Sequence, residues 1–119
     1  MDRLYRAFLN SVRASRTLVR NEKAFQQEVG LLVVALPAAW FLAESWRGFL
    51  LLVGSILVLL MVEVLNTGIE AACDAISREF NADIQFAKDC GSLAVLISIV
   101  LALLVWALAI AERVAGVPL

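Results

Sequence analysis

Acidic and amide side chains recur at helical spacing in residues 63–74, which read EVLNTGIEAACD. If this stretch is helical, a turn of 100° per residue places four of them on one stripe. An apolar run precedes the stretch without a proline or a turn signal, so one helix is expected to pass through both. Acids at the edge of a membrane-length apolar segment are costly, and that cost favours a functional site. The stripe consists of Glu63, Asn66, Glu70 and Asp74.

The chemistry that this stripe favours is phosphate transfer assisted by a divalent metal. Mg²⁺ is typically held by one or two carboxylates together with substrate phosphates. A further carboxylate would accept the proton of an attacking hydroxyl, and Lys88 would neutralise a transferring phosphoryl group. The sequence has no Walker A motif and no kinase glycine-rich loop. From the residues alone, a transporter with an ion-binding carboxylate and a structural membrane oligomer remain alternatives.

The composition places the chain among membrane proteins. It is 62% hydrophobic, with a mean hydropathy of +0.88, whereas soluble domains are roughly 45–50% apolar. The absence of histidine excludes histidine metal ligands and histidine acid–base catalysis. Six of the ten basic residues lie in the first 23 positions. Because the rest of the chain is membrane-like, no role in nucleic-acid binding is expected.

The apolar pattern predicts an all-α membrane protein, with three transmembrane helices and an N-terminal amphipathic surface helix in a single domain over residues 1–119. Residues 1–21 are basic and amphipathic, as in helices that lie on a membrane surface. Asn21 is expected to cap the next helix. The three spans are expected at about residues 24–44, at about 48–76 with a cytoplasmic extension, and at about 86–112.

The distribution of basic residues predicts the orientation of these spans. The basic N-terminus, Arg78 and Lys88 fall on one side of the membrane, and Arg47 and Arg113 fall on the other. The positive-inside rule therefore places the N-terminus in the cytoplasm and the C-terminus outside. The acidic stripe, the polar segment at residues 21–28 and the loop before the third span are expected to meet at the cytoplasmic surface.

Three motifs, NEKAFQQE, VEVLNTGIEAACD and AKDCGSLAVL, resemble the bacterial integral-membrane diacylglycerol kinase family in order and spacing. The resemblance extends over almost the entire chain. It implies a multi-pass homotrimer in the bacterial inner membrane, with active sites shared between neighbouring subunits. It also implies transfer of the γ-phosphate from ATP, the co-substrate, to the hydroxyl of diacylglycerol, with Mg²⁺ as cofactor.

The same resemblance assigns roles to individual residues. Glu63 becomes the general base, supported by Asn66, and Lys88 becomes a further catalytic residue. Glu22 and Glu70 become the metal ligands. The nucleotide contacts implied are Arg3, Asn10, Glu22, Glu70, Glu79, Asn81, Lys88 and Asp89. The residues implied at the lipid site are Arg3, Gln27, Glu28, Glu63, Ser92 and Trp106.

Three alternatives differ in substrate or in class. Undecaprenol kinase, the related Gram-positive enzyme, has a similar stripe, but NEKAFQQE looks more like the Gram-negative branch, which favours diacylglycerol. A small multidrug-type transporter would have four short spans with an acid inside the first, whereas three spans are expected here. A purely structural oligomer gives no reason for the polar residues to align. Asn10 and Asn81 depart from the family, which often has an aromatic residue and a histidine at those positions.

Overall fold

Residues 1–116 are described by a computed structural model as four α-helices joined by short connections. Residues 117–119, and with them the last part of the C-terminus that is expected to face outward, lie outside the described residues. Three of the helices are long and apolar enough to cross a membrane. The prediction of an all-α membrane fold with three such helices is confirmed. The helices are α1 (Asp2–Asn21), α2 (Lys23–Leu42), α3 (Trp46–Ile76) and α4 (Ala82–Ala115).

The helices α3 and α4 are longer than a bilayer requires. They contain 31 and 34 residues. At 1.5 Å per residue these helices measure about 46 Å and about 51 Å, against roughly 30 Å for the hydrocarbon core of a bilayer. The charged residues of α3 are concentrated near its C-terminus, and most of those of α4 near its N-terminus. The surplus length of both helices therefore lies beside the connection at residues 77–81.

Side-chain caps fix the starts of α3 and α4. Ser45 precedes α3, and its Oγ accepts a hydrogen bond from the Gly48 N–H at 3.1 Å. Asn81 precedes α4, and its Oδ1 accepts from the N–H groups of Asp83 and Ile84 at 2.9 and 3.3 Å. These bonds satisfy amide donors that the first turn of a helix leaves without partners.

A single extended residue, Glu22, separates α1 from α2. Its φ of −108° and ψ of 107° interrupt the helical path, and Asn21 is the last residue of α1. The expectation that Asn21 caps α2 is therefore wrong, because Glu22 occupies that position. The Gln26 side-chain amide donates to the Val19 carbonyl at 2.6 Å across the break. Glu22 thus lies at the corner between α1 and α2, which this hydrogen bond stabilises.

The helix α3 lies between α2 and α4 and contacts both of them extensively. Leu52 is fully buried, with 0% exposure. Alanines on α2 and α4 face larger side chains on α3, and small residues of this kind allow helix backbones to approach closely in a membrane. This apolar core occupies the half of α3 that precedes the acidic stripe. Its buried members are Ala35, Ala39, Leu52, Val53, Ile56, Ala102 and Ala109.

The helix α1 keeps most of its apolar side chains uncovered. Leu18 is its buried residue, near the corner at Glu22. Its close backbone contacts with the rest of residues 1–116 are made through α2. An amphipathic helix that leaves its apolar side open suits a membrane surface. The exposed apolar residues are Leu4, Tyr5, Phe8, Leu9, Val12 and Val19.

Candidate active site

The predicted stripe lies on the C-terminal part of α3 and passes from buried to exposed along the helix. Glu63 and Asn66 are buried, each with 9% exposure, whereas Glu70 is exposed. Nδ2 of Asn66 donates a hydrogen bond to Oε1 of Glu70 at 3.1 Å. The spacing of four residues places these side chains one turn apart on the same face. A buried amide therefore holds the exposed carboxylate in place.

Glu22 approaches the stripe from the corner between α1 and α2. Glu22 and Glu70 line one cleft of about 370 Å³. Glu63 lies close enough to both of these carboxylates for their negative charges to repel its own. Side chains from two separate elements therefore face one space beside Glu63. The cleft is also lined by Thr67, Ala71, Asp74, Ala75 and Arg78.

The cleft offers carboxylate ligands of the kind that Mg²⁺ takes in proteins. Glu22 and Glu70 supply two carboxylates, and Mg²⁺ typically takes one or two of these with waters and substrate phosphates. Across residues 1–116, no group of three or more histidine, cysteine, aspartate or glutamate side chains is placed to hold a metal.

Lys88 places a positive charge at the edge of the cleft from α4. Its Nζ lies 2.9 Å from Oδ1 of Asp74, and the two side chains are 36% and 35% exposed. Asp74 and Arg78 line the cleft together with the glutamates. Lys88 from α4 and Arg78 from the connection after α3 therefore place positive groups beside the carboxylates, as a site for phosphate groups requires.

The remaining predicted nucleotide contacts on α4 and the connection before it are exposed. Glu79 lies in that connection, and its backbone N–H donates to Ser77 Oγ at 3.1 Å. Asn81 is occupied in capping α4. Asp89, one residue after Lys88, accepts a hydrogen bond from the Gln85 side chain at 2.9 Å. These residues surround the end of the α3–α4 pair where the cleft lies.

The two predicted contacts on α1 are also exposed. Oδ1 of Asn10 accepts a hydrogen bond from the Arg13 side chain at 3.2 Å. Asn10 also lines a groove between α1 and α3 whose α3 wall includes Thr67, a residue that lines the acidic cleft as well. Arg3 lies two turns before Asn10 and does not line the cleft.

Two of the residues predicted at the lipid site lie on α2 in the turns after Glu22. Gln27 is exposed and Glu28 is half-buried. The carboxylates of Glu28 and Glu63 are close enough to repel each other. Oε1 of Glu28 is buried without a hydrogen-bond partner among residues 1–116. Glu28 therefore joins the acidic group around Glu63 within one chain.

Two further residues predicted at the lipid site lie far apart on α4. Ser92 is exposed near Lys88, and Trp106 is about 21 Å further along the helix at 1.5 Å per residue. Nε1 of Trp106 donates to the Leu52 carbonyl and to Ser55 Oγ, both at 3.1 Å. Trp106 also lines an apolar cleft between the three long helices. Within one chain, Trp106 thus belongs to the apolar core and is not brought together with Ser92.

Two contacts between α3 and α4 at the cleft were not anticipated from the sequence. One is the ion pair of Lys88 with Asp74. The other is the close approach of Gly91 to Asn66, where a Cβ atom on the glycine would overlap the asparagine amide. An isolated glycine inside a helical pattern is the sequence signal that could have indicated this tight backbone contact.

The fold and the site define a class: a membrane protein built only of helices in its described part, with a carboxylate-lined cleft that suits phosphate chemistry. Residues 9–110 match the family described as prokaryotic diacylglycerol kinase. The chain therefore belongs to the prokaryotic diacylglycerol kinase family, and it is a lipid kinase of that family. The family resemblance drawn from the three sequence motifs is confirmed.

Relatives from several bacteria give the same result. The chain is 40% identical to the diacylglycerol kinase of Escherichia coli (strain K12) over 87 residues, which cover 72% of this chain and 70% of the relative. It is 39% identical to that of Pseudomonas aeruginosa over 88 residues, covering 74% and 72%. It is 31% identical to that of Haemophilus influenzae over 96 residues, covering 81% of each chain.

Proposed function

We propose that this chain transfers the γ-phosphate of ATP to the hydroxyl of diacylglycerol and so forms phosphatidic acid. The observation that carries the proposal is the cleft in which Glu22 and Glu70 face one space beside the buried Glu63. Such a cleft suits a metal-bound polyphosphate on its open side and an acceptor hydroxyl on its buried side. The relatives, which are named diacylglycerol kinases, support diacylglycerol as the acceptor.

Glu63 is the general base in this proposal. It lies where the apolar part of α3 passes into the polar stripe, so a hydroxyl from the bilayer would reach it beside the cleft. The carboxylate accepts the hydroxyl proton as the lipid oxygen forms a bond to the γ-phosphorus. The bond from that phosphorus to the bridging oxygen breaks, and ADP leaves with the electron pair.

Glu22 and Glu70 are the residues that would hold Mg²⁺ together with the phosphates of ATP. When bound, the ion neutralises the phosphate charge. The hydrogen bond from Asn66 keeps the Glu70 carboxylate oriented towards the cleft. Asp74 restrains the Lys88 ammonium at 2.9 Å, so the lysine is positioned to neutralise charge on the transferring phosphoryl group.

The outlying residues complete the two binding sites in this proposal. We assign Arg3, Asn10, Glu79, Asn81 and Asp89 to ATP contacts beside the cleft. We assign Gln27, Glu28, Ser92 and Trp106, together with Arg3, to the border of the lipid site. Because Arg3 does not line the cleft within one chain, a neighbouring subunit would have to supply it.

We further propose a homotrimer in the bacterial inner membrane, with the N-terminus in the cytoplasm and the C-terminus outside. A single chain leaves the α3 stripe partly open, and association would shield its polar groups from lipid. Gly68 and the alanines at 71 and 72 are exposed on α3 and would permit close helix approach.

Mixing inactive variants tests whether sites are shared between subunits. Glu63→Gln and Arg3→Ala are each purified and then mixed under conditions that exchange subunits, with cross-linking to verify mixed oligomers, because Arg3 is assigned here to a neighbouring subunit whereas Lys88 reaches the cleft within the same chain. Recovery of activity above that of either variant alone is expected if one site takes residues from two subunits. No recovery in verified mixed oligomers would show that each site is built within one chain.

The test of the proposed reaction uses γ-labelled ATP with the purified protein in detergent micelles that contain either diacylglycerol or undecaprenol. Chromatography of the extracted lipids is expected to show labelled phosphatidic acid formed faster than labelled undecaprenyl phosphate. Faster labelling of undecaprenol would favour the second substrate. A folded preparation that labels neither lipid would contradict the proposed phosphate transfer.

A further inference from the structure

Gly91 of α4 lies directly against Asn66 of α3. A Cβ atom added to Gly91 would overlap Oδ1 of Asn66 and would lie 3.1 Å from its Cγ. Gly91 is a buried residue inside a helix, and its backbone does not adopt the positive φ that favours glycine. Glycine within a helix costs stability relative to alanine. The reason for glycine here is therefore the space occupied by the asparagine.

This space fixes the orientation of the Asn66 amide. Its Nδ2 donates to Glu70, while its Oδ1 is buried and accepts no hydrogen bond from residues 1–116. In glycine a hydrogen takes the direction of the missing Cβ, so a Gly91 Cα–H faces Oδ1. Weak contacts of this kind recur where helices pack closely. A methyl group on Gly91 would force the amide to move and would disturb its bond to Glu70.

We infer that Gly91 is a positioning residue, which acts through Asn66 to hold the Glu70 carboxylate at the cleft. The contact joins α3 to α4 at the level of the site, so the fit between the two helices sets the orientation of a carboxylate. The expected effect on turnover rests on the proposed function, in which Glu70 holds Mg²⁺. The packing of Gly91 against Asn66 does not depend on that function.

A matched control lies in the apolar part of the same helix pair. A Cβ atom on Gly54 of α3 would meet no atom within 4 Å. Gly54→Ala thus makes the same chemical change in a membrane-spanning helix without an overlap. It is expected to leave turnover and magnesium dependence at wild-type values and to keep or raise the unfolding midpoint.

The test is a double-mutant cycle of Gly91→Ala and Asn66→Ala, with two readouts. The first is the denaturant midpoint of unfolding in detergent, without nucleotide or metal. The second is the Mg²⁺ concentration that gives half-maximal binding of a fluorescent ATP analogue. Gly91→Ala is expected to lower the unfolding midpoint and to raise the Mg²⁺ midpoint by about 10–100-fold, as for residues that support a metal ligand.

The decisive comparison is made in the Asn66→Ala background. There the overlap is absent, so adding Gly91→Ala is expected to change neither readout further. If Gly91→Ala behaves like Gly54→Ala, or if its effects add fully to those of Asn66→Ala, the inference is overturned. If Gly91→Ala alone fails to fold, folding of the double variant supports the overlap, and failure of the double variant as well overturns it.

The unfolding cycle separates this inference from the proposed function. If Glu63 and Glu70 prove unnecessary for turnover, the proposed function fails while non-additive unfolding still demonstrates the coupling of Gly91 with Asn66. If the unfolding effects add while Glu63→Gln is inactive, the positioning role fails and the proposed function stands.

Discussion

The two halves of α3 differ in whether their buried polar atoms have hydrogen-bond partners. In the apolar half, residues 46–62, Ser55 Oγ donates to the Leu52 carbonyl at 2.7 Å and accepts from Trp106 at 3.1 Å. In the acidic half, residues 63–76, Oδ1 of Asn66 is buried without a hydrogen-bond partner among residues 1–116. Buried polar groups are normally paired. The buried hydroxyl in the apolar half is therefore fully paired, whereas the acidic half keeps a buried polar atom unpaired beside the cleft where ligands are proposed to bind.

The two ends of α3 also differ in the kind of side chains around them. Near its start, the rings of Trp40, Trp46 and Phe49 pack edge to face, with centroids 5.6 to 5.9 Å apart. Aromatic clusters of this kind are typical of a membrane interface. Near its end, carboxylates from two elements face one cleft. One end of the helix is therefore suited to anchoring and the other to chemistry.

The largest expected effect on turnover comes from Glu63→Gln in the acidic half. The glutamine keeps the size of the side chain but cannot accept a proton, so turnover should fall by about 10²–10⁴-fold. The unfolding midpoint should stay the same or rise, because repulsion from neighbouring glutamates is removed. Initial rates with γ-labelled ATP and denaturant titration measure the two quantities.

Glu44→Gln is the matched control for this change. Glu44 lies in the connection between α2 and α3, at the end of α3 away from the cleft, and forms an exposed salt bridge with Arg113 at 3.2 Å. Such exposed pairs contribute little to stability, so the variant should keep normal turnover. Near-normal turnover in Glu63→Gln would remove Glu63 from the role of general base.

A smaller effect on turnover is expected from replacing either proposed metal ligand. Glu22→Ala or Glu70→Ala leaves one of the two proposed metal ligands, and the Mg²⁺ concentration for half-maximal activity should rise by more than about tenfold. ATP binding should weaken while diacylglycerol still binds in detergent. A magnesium titration at fixed ATP measures the shift. Wild-type midpoints and turnover in both variants would show that the proposed metal site is wrong.

A change of only a few-fold is expected from Asp74→Asn. The asparagine keeps its shape but no longer holds the Lys88 ammonium by charge, so the lysine becomes less well oriented. The KM for ATP should rise, and the unfolding midpoint should hardly move because the pair is partly exposed. An ATP titration at saturating diacylglycerol checks this. If the KM for ATP is unchanged while the lipid KM rises, Lys88 serves the lipid and not the nucleotide.

No effect on turnover per folded molecule is expected from Leu52→Ala in the apolar half. Leu52 is completely buried between the helices, and its truncation should cost about 2–5 kcal/mol of unfolding free energy. Because the apolar half of α3 is assigned to packing and the acidic half to chemistry, this variant should lose stability and keep its kinetics. Activity normalised to folded protein, measured below the unfolding transition, provides the check. A large loss of turnover in the folded variant would break the division between the two halves.

Local spacing explains what the sequence could predict. The stripe follows from the helical repeat, because Asn66 and Glu70 are one turn apart on the same helix, and their hydrogen bond is therefore a local contact. The three long apolar helices follow from hydropathy over about 20 residues. These features require no knowledge of how one helix crosses another.

Contacts between helices could not be predicted in this way. The meeting of Lys88 with Asp74 and of Gly91 with Asn66 depends on the relative position and rotation of α3 and α4. Motif comparison indicated that Lys88 belongs to the site, but not that it pairs with an aspartate. The capping error at Asn21 arose because asparagine is a good helix cap, whereas α1 continues one residue further and turns at Glu22.

The most direct test of the account is to locate the nucleotide on the protein. The purified chain is irradiated with Mg²⁺ and a photoreactive ATP analogue in lipid vesicles, and the labelled peptides are identified by mass spectrometry. Label is expected in residues 70–89 around the acidic cleft, and it should disappear when excess ATP is added. Label that ATP displaces from residues 40–49 or 105–116, with none near the cleft, would contradict the assignment of phosphate chemistry to the acidic half of α3.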